Sequence, residues 1–348
     1  MLGVSKSTVY RMVDQGMLKP VKTPGGQRRF DTSELQDYLS ASSNIVAPQN
    51  PSRAHTDTEG EIETPVVDPR NKLNDLSGRE WMPATKSFLY QKGLGAKHAH
   101  AAIERQHPAP FSYQDVQQLI EFFTKQGMVV LDPFGGVGST AKACSLSSRK
   151  CISIELQKKW HDLAIERLEF EVGEGAAAEH KLINDDSRTV LKSLNPETVD
   201  FIVTSPPYWS ILNKKADHKV KQGRVSNNLA TNYSDQDPAD LANMSNYSEF
   251  MESLVDEFLL PAGRLLKIGK YMCLVVSDFR NKSNYISFHS DLIQALNGRN
   301  IVGGGKLSLQ GTKVLIQNHK SLLPYGYPYA YVENIHHQYI LIFRKSND

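Results

Sequence analysis

Two stretches of this chain decide its fold: VVLDPFGGVGST at residues 129–140 and VDFIVTSPPYW at residues 199–209. Each begins as a short apolar run and stops abruptly on proline, glycine and polar residues. That is how a buried parallel strand presents a ligand-binding loop at the carboxyl edge of a sheet. In the first stretch Asp132 and Pro133 end the strand, and Gly135, Gly136 and Gly138 permit positive φ and close approach of the backbone to a ligand. Ser139 and Thr140 offer hydroxyls to cap a following helix. No Lys-Ser/Thr pair closes the glycines, which disfavours a phosphate-cradling P-loop and leaves nucleotide, flavin and methyl-donor sites open. In the second stretch Pro206 and Pro207 fix consecutive φ angles and restrict the residues before them, so the segment is stiff and extended. A hydroxyl from Ser205, backbone carbonyls and the Tyr208 ring are thereby held in a fixed relation. Such a set suits a planar ring carrying an amino group, whose hydrogens the oxygens accept and whose face the aromatic ring covers. The two loops are expected to make one site.

Residues 132–139, DPFGGVGS, resemble the DPFxGxGT cofactor motif of amino-group DNA methyltransferases, and Ser205-Pro206-Pro207-Tyr208 resembles their catalytic (S/N/D)PPY motif. These enzymes methylate cytosine N4 or adenine N6 with S-adenosylmethionine. The likeness runs in the family's order through most of residues 73–344, and the motif order resembles the gamma arrangement. It implies an α/β fold, a Rossmann-like methyltransferase sheet with helices on both faces. It also implies catalysis at Ser205, Pro206, Pro207 and Tyr208. Cofactor contacts are expected from the HPAPF segment (His107, Pro110, Phe111), from the glycine loop (Asp132, Pro133, Phe134, Gly136, Gly138, Ser139), and from Glu155, Asp186 and Ser187. Glu155 ends the second strand, where a carboxylate accepts ribose hydroxyls. Asp186, with Asp185 in reserve, is expected to receive the adenine amine, and His107 either holds the methionine end or begins a turn. Serine at the head of the second motif leans towards cytosine N4, with adenine N6 as the alternative. A DNA-binding regulator with a degenerate methyltransferase domain is the rival of a different class, disfavoured by the intact motifs.

Upstream, VSKSTVYRMVDQG at residues 4–16 has helix spacing, and Pro24-Gly25-Gly26 marks a tight turn between two short extended pieces. A second helix is expected over 32–39. The segment resembles the winged helix-turn-helix of MerR-like and excisionase-like DNA binders. That resemblance implies major-groove contacts from Lys6, Ser7, Tyr10 and Arg11, with Arg28 and Arg29 reaching phosphate or the minor groove. Only Met1 and Leu2 precede Gly3, where that motif has a bracing first helix; either the sequence starts late or another surface is expected to supply the support, and residues 1–40 are not expected to bind DNA tightly alone. Residues 41–70, rich in Ser, Pro, Asn, Thr and Glu, read as a flexible linker reaching about 30 Å. Residues 71–348 then form the methyltransferase domain.

Composition agrees. A chain of 348 residues accommodates a catalytic domain and a small appendage, and a formal charge of +2 leaves room for a basic face. Cys144, Cys151 and Cys273 lack CxxC spacing, and His98 and His100 lack a cysteine partner, so neither disulfides nor a metal is expected. No signal peptide or apolar run near membrane-spanning length is seen, which predicts a cytoplasmic, DNA-associated protein with double-stranded DNA as partner. A cognate restriction endonuclease is a further partner the resemblance suggests. The long irregular stretch to residue 246 carries Lys214, Lys215, Lys219 and Arg224, and is expected to close over DNA and touch phosphates. Helices are expected over 113–126, opened by a Ser112–Asp115 capping box, and over 157–170 and 247–266. QYILIF at 338–343 reads as the closing strand, paired with an earlier arm. Tyr325, Tyr327, Tyr329 and Tyr331 are expected either to stack on bases or to cover the sheet end.

Overall fold

A computed structural model describes residues 66–91, 98, 100–109, 111–209, 224–227, 229–234, 237–281, 284–318, 320 and 322–347, with the backbone of Val21–Lys22 and Arg28–Arg29. The chain divides into two compact units, Met1–Ile62 and Glu63–Asp348. In the first, strands β1 (Val21–Lys22) and β2 (Arg28–Arg29) pair antiparallel, Val21 opposite Arg29. They flank the expected Pro-Gly-Gly turn. The helices expected at 4–16 and 32–39, most of the linker, and Lys6, Ser7, Tyr10 and Arg11 lie outside the described residues, as do the side chains of Arg28 and Arg29.

The second unit runs α1 (Gly78–Ala84), β3 (Phe88–Tyr90), α2 (Ala101–Glu104), α3 (Tyr113–Phe123), β4 (Val129–Asp132), α4 (Ser139–Leu146), β5 (Lys150–Glu155) and α5 (Lys158–Glu171). It continues with β6 (Lys181–Asn184), α6 (Ser187–Ser193), β7 (Val199–Thr204), α7 (Tyr247–Ser253), a π-helical turn (Leu254–Leu259), α8 (Leu260–Leu265) and β8 (Leu266–Val276). A short antiparallel pair, β9 (Phe279–Asn281) and β10 (Asn284–Ile286), then α9 (Phe288–Leu296), β11 (Lys306–Ile316) and β12 (His337–Ser346) complete it.

Eight strands form one sheet in the order β3-β11-β12-β8-β7-β4-β5-β6. Only β12 runs against its neighbours. The central strands are apolar because both their faces are covered, and every residue of β7 is buried. On one face Val116, Leu119, Ile120 and Phe123 of α3 and Ala141, Ala143 and Cys144 of α4 pack against Val130, Cys151, Phe201 and Val203. On the other, Leu191, Leu254, Phe258, Leu265 and Phe288 cover Leu131, Ile154, Ile202 and Leu274. From β4 the chain builds outward through β5 and β6, then returns to lay β7 on the opposite side of β4. The carboxyl ends of β4 and β7 are therefore the topological switch point, where ligands of such sheets bind.

Local expectations fare unevenly. Helix α3 ends at Phe123 because Thr124 turns extended, with φ −140° and ψ 160°. Its expected capping box does not form: Ser112 makes no side-chain cap, and Asp115 instead accepts a hydrogen bond from Gln91 Nε2 at 3.0 Å. Ser139 and Thr140 are not caps either. Gly138, left-handed at φ 74°, is the N-cap of α4, and Thr140 bonds back to Asp132. The expected helix over 247–266 is helical from Tyr247 to Leu265 and ends where Leu266 turns extended to open β8, with a π-turn just ahead of Pro261, whose missing N–H suits the wider register.

Candidate active site

The loop after β4 is fixed by its own side chains and by its glycines. Asp132 Oδ1 accepts from Phe134 N at 3.0 Å and from the Thr204 hydroxyl at 2.6 Å, and Oδ2 accepts from Thr140. Burial pushes the Asp132 carboxyl above its ordinary value, and these three bonds oppose that shift. A Cβ at Gly135 would lie 2.1 Å from Ser153 Oγ, and one at Gly138 would lie 2.9 Å from Ala164 Cβ. Gly136 takes φ 51° and lies against the His107 ring. The loop can only be glycine-rich because strand β5 on one side and helix α5 on the other leave no room for side chains.

Glu155, at the end of β5, reaches back to this loop. Its Oε2 accepts Gly136 N and its Oε1 accepts Gln157 N, both at 2.8 Å. Burial raises the carboxyl to about 7, even against these two lowering bonds. Asp186 is the N-cap of α6 and accepts from Arg188 N at 2.9 Å. Burial works against its ionisation, but bonds from the Arg188 side chain and backbone outweigh it and hold the carboxyl below its ordinary value. Ser187 donates its hydroxyl to Pro133 O at 2.6 Å. His107 is buried edge-on to Trp160, with ring centroids 4.9 Å apart, and burial takes its imidazole down to about 4, so it stays neutral.

These residues line one cleft open to solvent, whose walls include His107, Phe111, Asp132, Pro133, Phe134, Gly136, Ser139, Glu155, Asp186 and Ser187. Ser205 and Pro207 face the same cleft. Pro206 is buried beside them. Tyr208 is half-buried near Phe288, with ring centroids 6.5 Å apart, and its hydroxyl accepts from Gln338 Nε2 at 3.0 Å. Gly138 shapes the loop from behind, against α5. Pro110, Lys214, Lys215 and Lys219 lie outside the described residues.

The cleft also has walls that sequence reasoning missed: Tyr233, Ala239, Asp240, Leu241 and Phe258. The segment carrying the first four lies across the cleft. Trp160 Nε1 donates to Tyr233 O and Gln157 Nε2 to Asp237 Oδ2, both at 2.8 Å, while the Tyr233 ring sits 5.5 Å from that of His107. No periodic pattern marks this segment in the sequence. Arg224, expected to touch phosphate, instead donates to Ala230 O at 2.7 Å and Gln106 O at 3.0 Å. It anchors the segment beside His107. Tyr327, Tyr329 and Tyr331 are 80%, 93% and 83% exposed, so they do not cover the sheet end.

Behind the glycine loop lies a buried ionic cluster. Arg167 donates to Val137 O, to Ser139 Oγ at 3.0 Å, to Glu104 at 2.7 Å and to Glu171 at 3.0 Å, and Lys142 pairs with Glu171 from the other side. It joins the loop to the helix that leads into His107. Among the described residues no three His, Cys, Asp or Glu side chains are grouped to hold a metal ion, and no helix is long and apolar enough to cross a membrane.

A family model described as DNA methylase matches residues 30–166, and one described as helix-turn-helix domain matches residues 1–43. The chain is 42% identical over 66 residues to the orphan methyltransferase M.BamHII of Bacillus amyloliquefaciens, 19% of this chain and 25% of that one. It is 44% identical over 64 residues to the putative methylase YubD of Escherichia coli K12, 18% of this chain and 28% of that one. The matches thus span about a quarter of these relatives' length. Among solved structures, a putative DNA modification methylase of Thermus thermophilus aligns at 21% identity and a TM-score of 0.28, over 47% of this chain and 51% of that one. The Rossmann-like α/β sheet with helices on both faces is the fold expected from the motifs. By these matches residues 30–166 resemble a DNA methylase and residues 1–43 a helix-turn-helix domain.

Proposed function

We propose that this chain transfers a methyl group from S-adenosylmethionine to the exocyclic amine of a base turned out of double-stranded DNA. Cytosine N4 is the favoured target and adenine N6 the alternative. The observation that carries the reading is that Ser205 and Pro207 face the same cleft as Gly136 and Glu155, with Thr204 bonded to Asp132 beneath them.

The cleft suits the cofactor. A half-buried carboxylate, Glu155, looks into it beside a glycine loop with no side chains, as a nucleoside site requires. Glu155 would take the ribose hydroxyls, Asp186 the adenine amine, and Phe258 and Leu241 would flank the adenine plane. His107, neutral and wedged on Gly136, would bound the methionine end. When bound, S-adenosylmethionine supplies an electrophilic methyl group on a sulfonium.

An exocyclic amine is a poor nucleophile because its lone pair is delocalised into the ring. The Ser205 hydroxyl and the Pro206 carbonyl would accept its two hydrogens, favouring a pyramidal nitrogen, while Tyr208 stacks on the base. Ser205 is uncharged, so the amine proton passes to water. Serine at this position favours cytosine, and the helix-turn-helix match favours DNA over RNA or protein as substrate. A restriction endonuclease reading the same sequence is the partner this reading adds.

Incubating the purified protein with unmethylated DNA and S-adenosylmethionine, then digesting to nucleosides for mass spectrometry, tests the proposal. N4-methylcytosine is expected. N6-methyladenine would select the alternative base, and the absence of both would overturn the reading.

A further inference from the structure

A row of amide side chains crosses the carboxyl edge of the sheet and ends on the SPPY tyrosine. Gln91 Nε2 donates to Asp115 Oδ2 at 3.0 Å, and Gln317 Nε2 donates to Gln91 Oε1 at 3.0 Å and to Gln338 Oε1 at 3.1 Å. Gln338 Nε2 then donates to the Tyr208 hydroxyl at 3.0 Å. Gln91 follows β3, Gln317 follows β11 and Gln338 is the second residue of β12, so each amide comes from a different strand end. The Tyr208 hydroxyl also meets the Ser205 side chain and the Ser277 backbone.

A carboxylate can only accept, so Asp115 obliges Gln91 to present its amide nitrogen. Gln91 Oε1 is then left facing Gln317, which must answer with its own nitrogen, and Gln338 turns its oxygen to Gln317 and its nitrogen to Tyr208. One anion therefore sets the polarity of the whole row. What reaches Tyr208 is a donor, so the tyrosine's own proton is directed away from Gln338. Packing alone would not call for this arrangement, because buried amides cost stability unless satisfied and Gln317 Oε1 meets no partner among the described residues.

We infer that Gln338 is a positioning residue: held by the glutamine row, it fixes the Tyr208 hydroxyl and, through it, the orientation of Ser205 towards the target amine. The inference rests on the function proposed above. If Gln338 acts only through the Tyr208 hydroxyl, removing either group should cost the same step. Gln338→Leu and Tyr208→Phe should each lower kcat on DNA about tenfold and leave the Kd for S-adenosylmethionine within about twofold. The double variant should be no slower than the slower single one. Gln338→Met gives the same reading should the leucine variant not fold. Losses that multiply, or a Gln338→Leu kcat equal to wild type, would overturn the inference. A wild-type protein that methylates no DNA would overturn the proposed function instead. The row is then decided by the same cycle in urea unfolding, where the two single losses fail to add if the contact exists and add if it does not.

Discussion

Thr204 donates its hydroxyl to Asp132 Oδ1 at 2.6 Å across 72 residues of sequence. Both side chains are buried at the ends of adjacent parallel strands, and each stands immediately before one of the two loops that decide the fold. Asp132 also holds the backbone of its own loop through Phe134 N, so the spacing of the glycine turn and the SPPY segment is set by one carboxylate.

Thr204→Val keeps the shape and removes the donor. Losing one bond to a buried carboxylate should cost about 1–3 kcal/mol of stability in urea unfolding. It should also lower kcat more than it weakens S-adenosylmethionine binding, because the cofactor loop keeps its remaining bonds. A variant with wild-type stability and kcat would show that the two loops are spaced by other means.

Glu155 predicts a pH dependence. Its folded value of about 7 lies above the 4.5 of a free side chain. Ionisation is therefore disfavoured by folding: the cost grows as pH rises from about 4.5 to about 7 and is constant above that. Ribose hydroxyls donate to the ionised form, so cofactor affinity should rise with pH and level off above about 8. Between pH 6 and pH 8 it should increase by about tenfold, and binding near neutrality should release protons, as calorimetry in two buffers would reveal. Glu155→Gln should bind weakly with a flat profile. A flat profile in the wild type would remove this carboxylate from the ribose site.

Gly138→Ala should destabilise strongly. At φ 74° the new methyl group is strained, and it would sit 2.9 Å from Ala164 Cβ. Left-handed strain and overpacking together should cost about 2–4 kcal/mol in urea unfolding. An unchanged midpoint would mean that α5 can move aside.

Arg167→Met tests the cluster behind the loop. The guanidinium is fully buried between Glu104 and Glu171. Its removal leaves acidic groups short of a partner, at a cost of about 3–5 kcal/mol. Because Arg167 also holds Val137 and Ser139, cofactor Kd should rise as well. A loss of stability with unchanged Kd would confine the cluster to the fold.

The parts legible in the sequence are those whose physics is local. Val129–Asp132 and Val199–Thr204 are apolar runs cut off by proline and glycine, so strand, direction and loop follow together. Longer-range competition hid the rest. Asp115 stands three residues after Ser112, the right spacing for a cap, yet its carboxylate is drawn to Gln91, 24 residues away. Strand β11 was readable only as an unlocated arm, because Gly311 and a register shift at Leu309 break its alternation. In β8 residues 273–276 form an unbroken apolar run, whereas residues 267–271 mix charged and half-exposed positions that carry no strand signal. Tyr233 reaches the cleft from an aperiodic segment held by Trp160 and Gln157, contacts that no spacing encodes.

The most direct measurement follows isotope-labelled methyl from S-adenosylmethionine into DNA with wild-type protein and with Ser205→Ala, while calorimetry records cofactor binding by both. The account predicts that both bind the cofactor with similar Kd, that label enters DNA with the wild type, and that transfer by the variant falls at least about a hundredfold. Undiminished transfer by Ser205→Ala, or loss of cofactor binding with it, would contradict a shared site in which the glycine loop holds the donor and the serine loop holds the amine.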